Sequence, residues 1–69
     1  MILNKELKNA REKKKLTQIQ IATKVGISET SYQRIEYGLQ CPSLKTAMRI
    51  AIALNSTVEA LFGVVPDEA

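Results

Sequence analysis

A small residue, Ala22, stands four positions before a glycine, Gly26, inside the stretch QIQIATKVGISETSYQRI that covers residues 18–35. Two helices joined by a very tight turn need that pair. The helices touch near the corner, which calls for a small side chain. The chain then reverses through left-handed backbone, which glycine adopts at little cost. Ile21, Val25, Ile27, Tyr32 and Ile35 supply apolar groups at the offsets of two facing inner surfaces, whereas Glu29, Thr30, Gln33 and Arg34 give the second helix a polar outer face. Each match alone is common, but their coincidence in one window is specific for two helices meeting at a corner.

The remaining punctuation divides the chain into further short helices. Asn4 caps a first helix over 5–14, with Leu7, Ala10 and Arg11 on one face and Leu3 just before it. Thr17 starts the second, and Gln20 completes a capping box. Gly26 stops it after Val25. Ser28 caps the third, which ends near Tyr37-Gly38. Pro42 prevents helix through the loop 39–42. Ser43 caps a fourth helix to about Leu54, with Leu44, Ala47, Met48, Ala51 and Leu54 expected to face inward and Asn55 as a left-handed terminus. Ser56 or Thr57 opens a last turn or two, Val58 to Phe62, closed by Gly63. No alternating strand pattern interrupts this series. The expected architecture is all-α: five short helices in one domain over 1–65, with a short acidic tail over 66–69.

Composition narrows the function. A 69-residue domain removes only about 60% of its unfolded surface from water, so its core has little to spare for a substrate cavity. The chain has no His and one Cys, Cys41, so no nitrogen–sulfur metal site assembles within it, and no cofactor is expected. No nucleophile–base set is visible, which argues against an enzyme and against a small-molecule substrate. There is no signal-peptide pattern and no run of about 20 apolar residues for a membrane span. Residues 1–56 carry ten Lys/Arg and four acids, or +6, whereas residues 57–69 carry Glu59, Asp67 and Glu68, or −3. A basic body suits a polyanionic partner, and it equally suits plain solubility.

With "LTQIQIA", "GIS", "RIEYG" and "PSLKTAMRIAIALN" in this order and spacing, the chain resembles the lambda-repressor-like (Cro/repressor, XRE-type) helix-turn-helix family from Leu7 to about Phe62. The resemblance implies a compact five-helix domain whose third helix enters the major groove of double-stranded DNA. Ser28, Glu29, Thr30, Gln33 and Arg34 match base-contacting positions. Gln18, Tyr37, Gly38, Gln40 and Lys45 match phosphate-contacting ones, Gln18 also bracing the third helix. Arg11 and Glu36 match a buried structural ion pair. Leu54, Val58, Leu61, Phe62, Val64 and Val65 exceed what a small core needs, and related repressors pair through this end, so a homodimer interface is expected there. The implied function is a cytoplasmic, nucleoid-associated, bacterial or phage-encoded transcription regulator on a pseudo-palindromic operator. A chain with no room for a sensing or activating domain points to a repressor.

Several positions stay open. Ile19 is apolar where the family is polar, and packs on the fourth helix, meets a partner or sits exposed. Glu29 is either a cytosine reader or a charge favoured by the helix dipole. Tyr32 replaces an aliphatic core residue, so its hydroxyl needs a partner or water. Lys13, Lys14 and Lys15 either approach phosphates or end a solvated helix, and Cys41 is either a redox switch or an inert thiol. An antitoxin, a restriction-modification controller, or a helical protein-interaction module that has lost DNA binding are the rival functions.

Overall fold

Five α-helices account for most of residues 5–63, the part of the chain that the computed structural model describes: α1 (Lys5–Lys13), α2 (Gln18–Val25), α3 (Glu29–Glu36), α4 (Leu44–Ala53) and α5 (Val58–Phe62). There is no strand among the described residues, and no described helix is long and apolar enough to cross a membrane. Leu3, Asn4, Val64, Val65 and the tail over 66–69 lie outside the described residues, as does the boundary expected at 65.

Hydroxyl caps start four of the helices. Thr17, Ser28, Ser43 and Thr57 each accept the backbone N–H three residues on, at 3.0–3.2 Å. At α2 the Gln20 side chain returns the bond to the Thr17 N–H at 2.8 Å, completing the capping box. Such caps satisfy donors that a helix leaves orphaned, and each contributes about 1 kcal/mol. Helices of five to ten residues need them, because at this length isolated helices are marginal in water.

The helix ends repeat one device. Lys15, Gly26, Gly38 and Asn55 have left-handed backbone, with φ of 58°, 80°, 79° and 54°. The N–H that follows each of them reaches back five residues: Leu16 to Arg11 O, Ile27 to Ala22 O, Leu39 to Arg34 O, and Ser56 to Ala51 O, at 2.8–3.2 Å. This wrapping of the last carbonyls closes each turn. Glycine or asparagine marks three of the four. Lys15 is the exception, a residue with a Cβ held in this conformation, and it ends α1 one residue short of the expected Lys14.

Helix α2 packs against α3 and α4, while α1 packs against α3 and α5, and α5 against α4. The core gathers Leu7 from α1, Ile21, Ala22 and Val25 from α2, Tyr32 and Ile35 from α3, and Leu61 from α5. Helix α4 turns Ala47, Ile50, Ala51 and the following Leu54 inward. That stripe corrects one expectation. Met48 is 50% exposed and Ile50 is fully buried, because a helical step of about 100° carries residue 48 off the face that 47, 50, 51 and 54 share. Leu44 is half-buried.

A second correction concerns the expected dimer surface. Leu54 and Leu61 are only 4% and 2% exposed and belong to the core of their own chain. Leu54, at the end of α4, and Leu61, on the short α5, close these two helices and α1 against one another. Val58 and Phe62 are half-buried against the same cluster.

At Gly26 an added Cβ would meet Arg49 Nη1 at 3.9 Å, an ordinary contact, so the φ of 80° and not lack of space demands glycine there. Gly26→Ala should therefore destabilise the domain by about 1–2 kcal/mol, the left-handed penalty of an L-residue. Thermal melting would register this as a fall of roughly 4–8 °C per kcal/mol. An unchanged melting temperature would mean that the corner relaxes.

Candidate nucleic-acid interface

Helix α3 has two unlike sides. Tyr32, Ile35 and Glu36 are buried, whereas Glu29, Thr30 and Arg34 are exposed and Gln33 is half-buried. The inner side is held through one carboxylate. Glu36, 1% exposed, accepts from Arg11 Nε at 2.9 Å and Nη2 at 3.1 Å. It also accepts from Gln18 Nε2 at 3.0 Å and from the Tyr32 hydroxyl at 2.7 Å. A carboxylate has about four lone-pair sites, and here all are filled. The remaining Arg11 nitrogen, Nη1, donates to Leu16 O at 2.8 Å, which ties the pair to the α1–α2 turn. No described buried side-chain nitrogen or oxygen lacks a partner.

Charge and burial compete here. Burial pushes the Glu36 carboxyl up, but the bonds from Arg11, Tyr32 and Gln18, with the Arg11 charge, hold it below the usual carboxylate range. The Arg11 guanidinium is raised by its bonds to Glu36, against the opposing effect of burial. The Tyr32 phenol is raised well above its ordinary value by burial, then by its bond to Glu36 and that carboxylate's charge. Its hydroxyl thus finds its partner inside the protein, at the carboxylate one turn on.

The hydrogen bonds continue from this buried cluster to the surface. Gln18, the first residue of α2, accepts at Oε1 from Gln33 Nε2 at 3.2 Å, and the same Gln33 nitrogen donates to Glu29 Oε2 at 3.4 Å. The matched base-contacting positions thus differ in freedom. Ser28 is the N-cap and its hydroxyl oxygen is engaged by the Ser31 N–H. Glu29 and Gln33 are bonded to each other, while Thr30 and Arg34 are exposed.

Beyond α3, Tyr37, Gly38, Gln40 and Lys45 are all exposed. The backbone N–H groups of residues 37–40 all turn back on carbonyls of α3, those of Leu39 and Gln40 both to Arg34 O. From this segment the side chains of Tyr37, Gln40 and Lys45 are therefore what faces outward to a ligand. Lys13, Lys14 and Lys15 are exposed at the end of α1, Ile19 is exposed on α2, and Cys41 is an exposed free thiol. Among the described residues no group of His, Cys, Asp or Glu is placed to hold a metal ion. The resemblance implied that Gln18 braces the third helix, but sequence reasoning missed its bond to Gln33 and the onward bond from Gln33 to Glu29. Spacing within a helix suggests the 29–33 pair, but nothing in a single chain's pattern indicates that residue 18 meets residue 33.

A helix-turn-helix family profile matches residues 7–61. The chain is 36% identical over 63 residues to the cryptic phage CTXphi transcriptional repressor RstR of Vibrio cholerae serotype O1, covering 91% of this chain and 56% of that one. It is 40% identical over 55 residues to the ImmF control region 10 kDa protein of Bacillus phage phi105, covering 80% and 61%. The chain therefore spans less than two thirds of the length of either relative. Among solved structures it superposes on a chain of the SinR protein/SinI protein complex with a TM-score of 0.79 at 24% identity, over 88% of this chain and 60% of that one, a likeness of fold.

Of the three shifted groups, Glu36 and Tyr32 set a pH window. Glu36, with its pKa lowered, contributes stability that is complete above the unfolded carboxylate value near 4.3 and is lost as pH falls through the folded value. Tyr32, raised, contributes stability that is complete below about 10 and is lost as pH rises towards the folded value. Melting temperature should thus decline on both sides of a plateau between roughly pH 5 and pH 9. Tyr32→Phe should blunt the alkaline decline, and an identical alkaline limb in the two proteins would contradict the assignment. Arg11→Ala strands the buried carboxylate and should cost about 3–5 kcal/mol, seen as a much earlier urea or thermal transition.

Proposed function

The chain belongs to the lambda-repressor-like helix-turn-helix family, and on that footing we propose that it is a sequence-specific DNA-binding transcription regulator, a repressor, that reads its operator with α3 in the major groove. The observation that carries this reading is the division of α3. Its inner side is fixed through Glu36, Tyr32 and Ile35 to α1 and α2, and its outer side offers Glu29, Thr30, Gln33 and Arg34. A reading helix needs both properties, because base discrimination requires donors and acceptors held at set positions.

Roles follow from chemistry and exposure. Arg34 suits a bidentate contact to guanine O6 and N7, and Glu29 suits acceptance from cytosine N4. Ser28 keeps its hydroxyl hydrogen for donation, and Thr30 is free to bond or to meet a thymine methyl. Gln18 has a second amide hydrogen beyond the one given to Glu36, which can reach a phosphate while the brace stays intact. Tyr37, Gln40 and Lys45 add phosphate contacts from their side chains, with Gly38 setting the loop's course.

The operator reading includes a homodimer, whose two-fold axis would place two copies of α3 about 34 Å apart on a pseudo-palindrome. With Leu54 and Leu61 enclosed, Val58 and Phe62 are the described residues of α5 left to contribute to such a contact. A protein partner is the second reading. It is favoured by Met48 and Ile52, which stand one turn apart on α4 and are 50% and 76% exposed. The SinR-type neighbour is itself in complex with a protein.

Selection from a randomised DNA pool at two salt concentrations, with sequencing of the bound fraction, tests the function. The expected result is an enriched inverted repeat whose binding weakens by about three decades or more between 50 and 200 mM salt if six or more phosphates are contacted. Arg34→Ala should relax one guanine position per half-site, a loss of roughly 5- to 150-fold. Enrichment of no motif, with weak binding even at low salt, would remove the DNA-reading function and leave the protein-partner reading.

A further inference from the structure

We propose that Gln33 does not read a base as a free amide; it is a positioning residue that holds Glu29, so that the pair offers acceptors alone to the groove and selects cytosine. The inference rests on the DNA-reading function of α3 proposed above, and it assigns to that surface a base class and a division of labour.

The bonding direction along the line from core to surface follows from its two ends. Each end is a carboxylate, Glu36 inside and Glu29 outside, and an ionised carboxylate only accepts. Gln18 must therefore turn its NH2 towards Glu36, 3.0 Å away, which leaves its carbonyl for Gln33. Gln33 must then turn its NH2 towards both Gln18 Oε1, at 3.2 Å, and Glu29 Oε2, at 3.4 Å. Reversing the Gln33 amide would set oxygen against oxygen at two places, and reversing that of Gln18 would set oxygen against oxygen at Glu36 and NH2 against NH2 at Gln33. Both hydrogens of the Gln33 amide are consequently engaged, and its carbonyl oxygen is the group left over.

That arrangement changes what Gln33 can do in a groove. A glutamine that recognises adenine donates to N7 while accepting from N6, so it needs a free hydrogen. Gln33 has none without breaking a bond to Gln18 or Glu29. Guanine offers N7 and O6, and thymine offers O4; all are acceptors that would face the Glu29 carboxylate and the Gln33 carbonyl unfavourably. Cytosine offers the N4 amino group with no acceptor of its own beside it, and the one N4 hydrogen not paired to guanine suits the Glu29 carboxylate. The bond from Gln33 also removes freedom from the Glu29 side chain, so less rotamer entropy is lost when the carboxylate meets the base. Glu29 and Gln33 are one turn apart on α3, the spacing at which helical side chains meet.

The pool selection distinguishes this assignment from its alternatives when repeated with Glu29→Ala, Gln33→Met and the double variant. The wild-type chain should enrich cytosine at one position of each half-site. Both single variants should relax that same position, each with roughly a tenfold loss on the selected site, and the double variant should lose little more than either one. A second measurement uses the wild-type chain and so is independent of whether a variant folds. Replacing that cytosine by 2-pyrimidinone, which lacks the N4 amino group, should give a similar loss of about tenfold. The assignment is overturned if Gln33→Met leaves the preference unchanged or relaxes a position other than that of Glu29→Ala with additive losses. Enrichment of adenine at a position that depends on Gln33 would overturn it too, as would indifference to removal of the amino group. A wild-type chain that enriches a motif but shows one of these patterns keeps its DNA-reading function and loses only this assignment. One that enriches no motif loses both.

Discussion

A single buried carboxylate, that of Glu36, determines how three of the five helices stand to one another. Arg11 comes from α1, Gln18 from α2, and Tyr32 from the same helix as Glu36, and all three donate to its two oxygens. The site is a poor one for an acid on every general ground. Glu36 ends α3, where the helix dipole disfavours negative charge, and it is almost wholly removed from water. Only a full set of donors makes the position tolerable, and that set forms in one relative arrangement of the helices. Apolar contacts between α1, α2 and α3 would tolerate sliding and rotation; four directional bonds on one carboxylate do not. A buried ion pair is weak evidence for stability in itself. Its effect here is geometric, since it fixes the rotation of α3 about its own axis and hence which residues face outward.

That constraint explains how an eight-residue helix can serve as a rigid surface. Alone, a helix of two turns would be largely unfolded in water. In the domain it is capped at Ser28, wrapped at its end by the Leu39 and Gln40 N–H groups, and anchored along its inner side. The same closure that stabilises its C-terminal end uses the backbone donors of residues 37–40 on α3 itself. A ligand approaching there meets side chains instead of amides.

Much of the architecture was legible because its signals are local. Thr17 with Gln20, Ser28, Ser43 and Thr57 mark helix starts through bonds made within three residues, and Gly26 and Asn55 mark ends through backbone conformation. Where the signal was not local, reading failed. Lys15 adopts left-handed backbone although lysine carries no turn preference, because the end of α1 must deliver Leu16 to the core edge. Met48 was expected inside with Leu44, Ala47 and Ala51, at helical spacings of three, four and seven, yet the choice between 48 and 50 depends on where α2 and α5 lie against α4. Leu54 and Leu61 looked surplus to a small core, but surplus cannot be judged before the helices are packed. Among the polar residues the Arg11–Glu36 pair followed from family resemblance, whereas the Gln18–Gln33 bond joins residues fifteen apart and has no signature in one chain.

Small size forces polar groups to serve two purposes, and Gln33 is the clearest case. In a larger domain the residues that support a binding surface and those that form it can be different sets. Here, Tyr32, Ile35 and Glu36 are confined to support by burial, and Thr30 and Arg34 are free of it by exposure. Gln33 lies between, half-buried, joined inward to Gln18 and outward to Glu29. A substitution at Gln18 or Gln33 therefore cannot alter the bracing of α3 without altering which hydrogens the outer surface has free. Thr30 and Arg34 carry no such coupling, so they are the positions where base preference could change with least consequence for the fold.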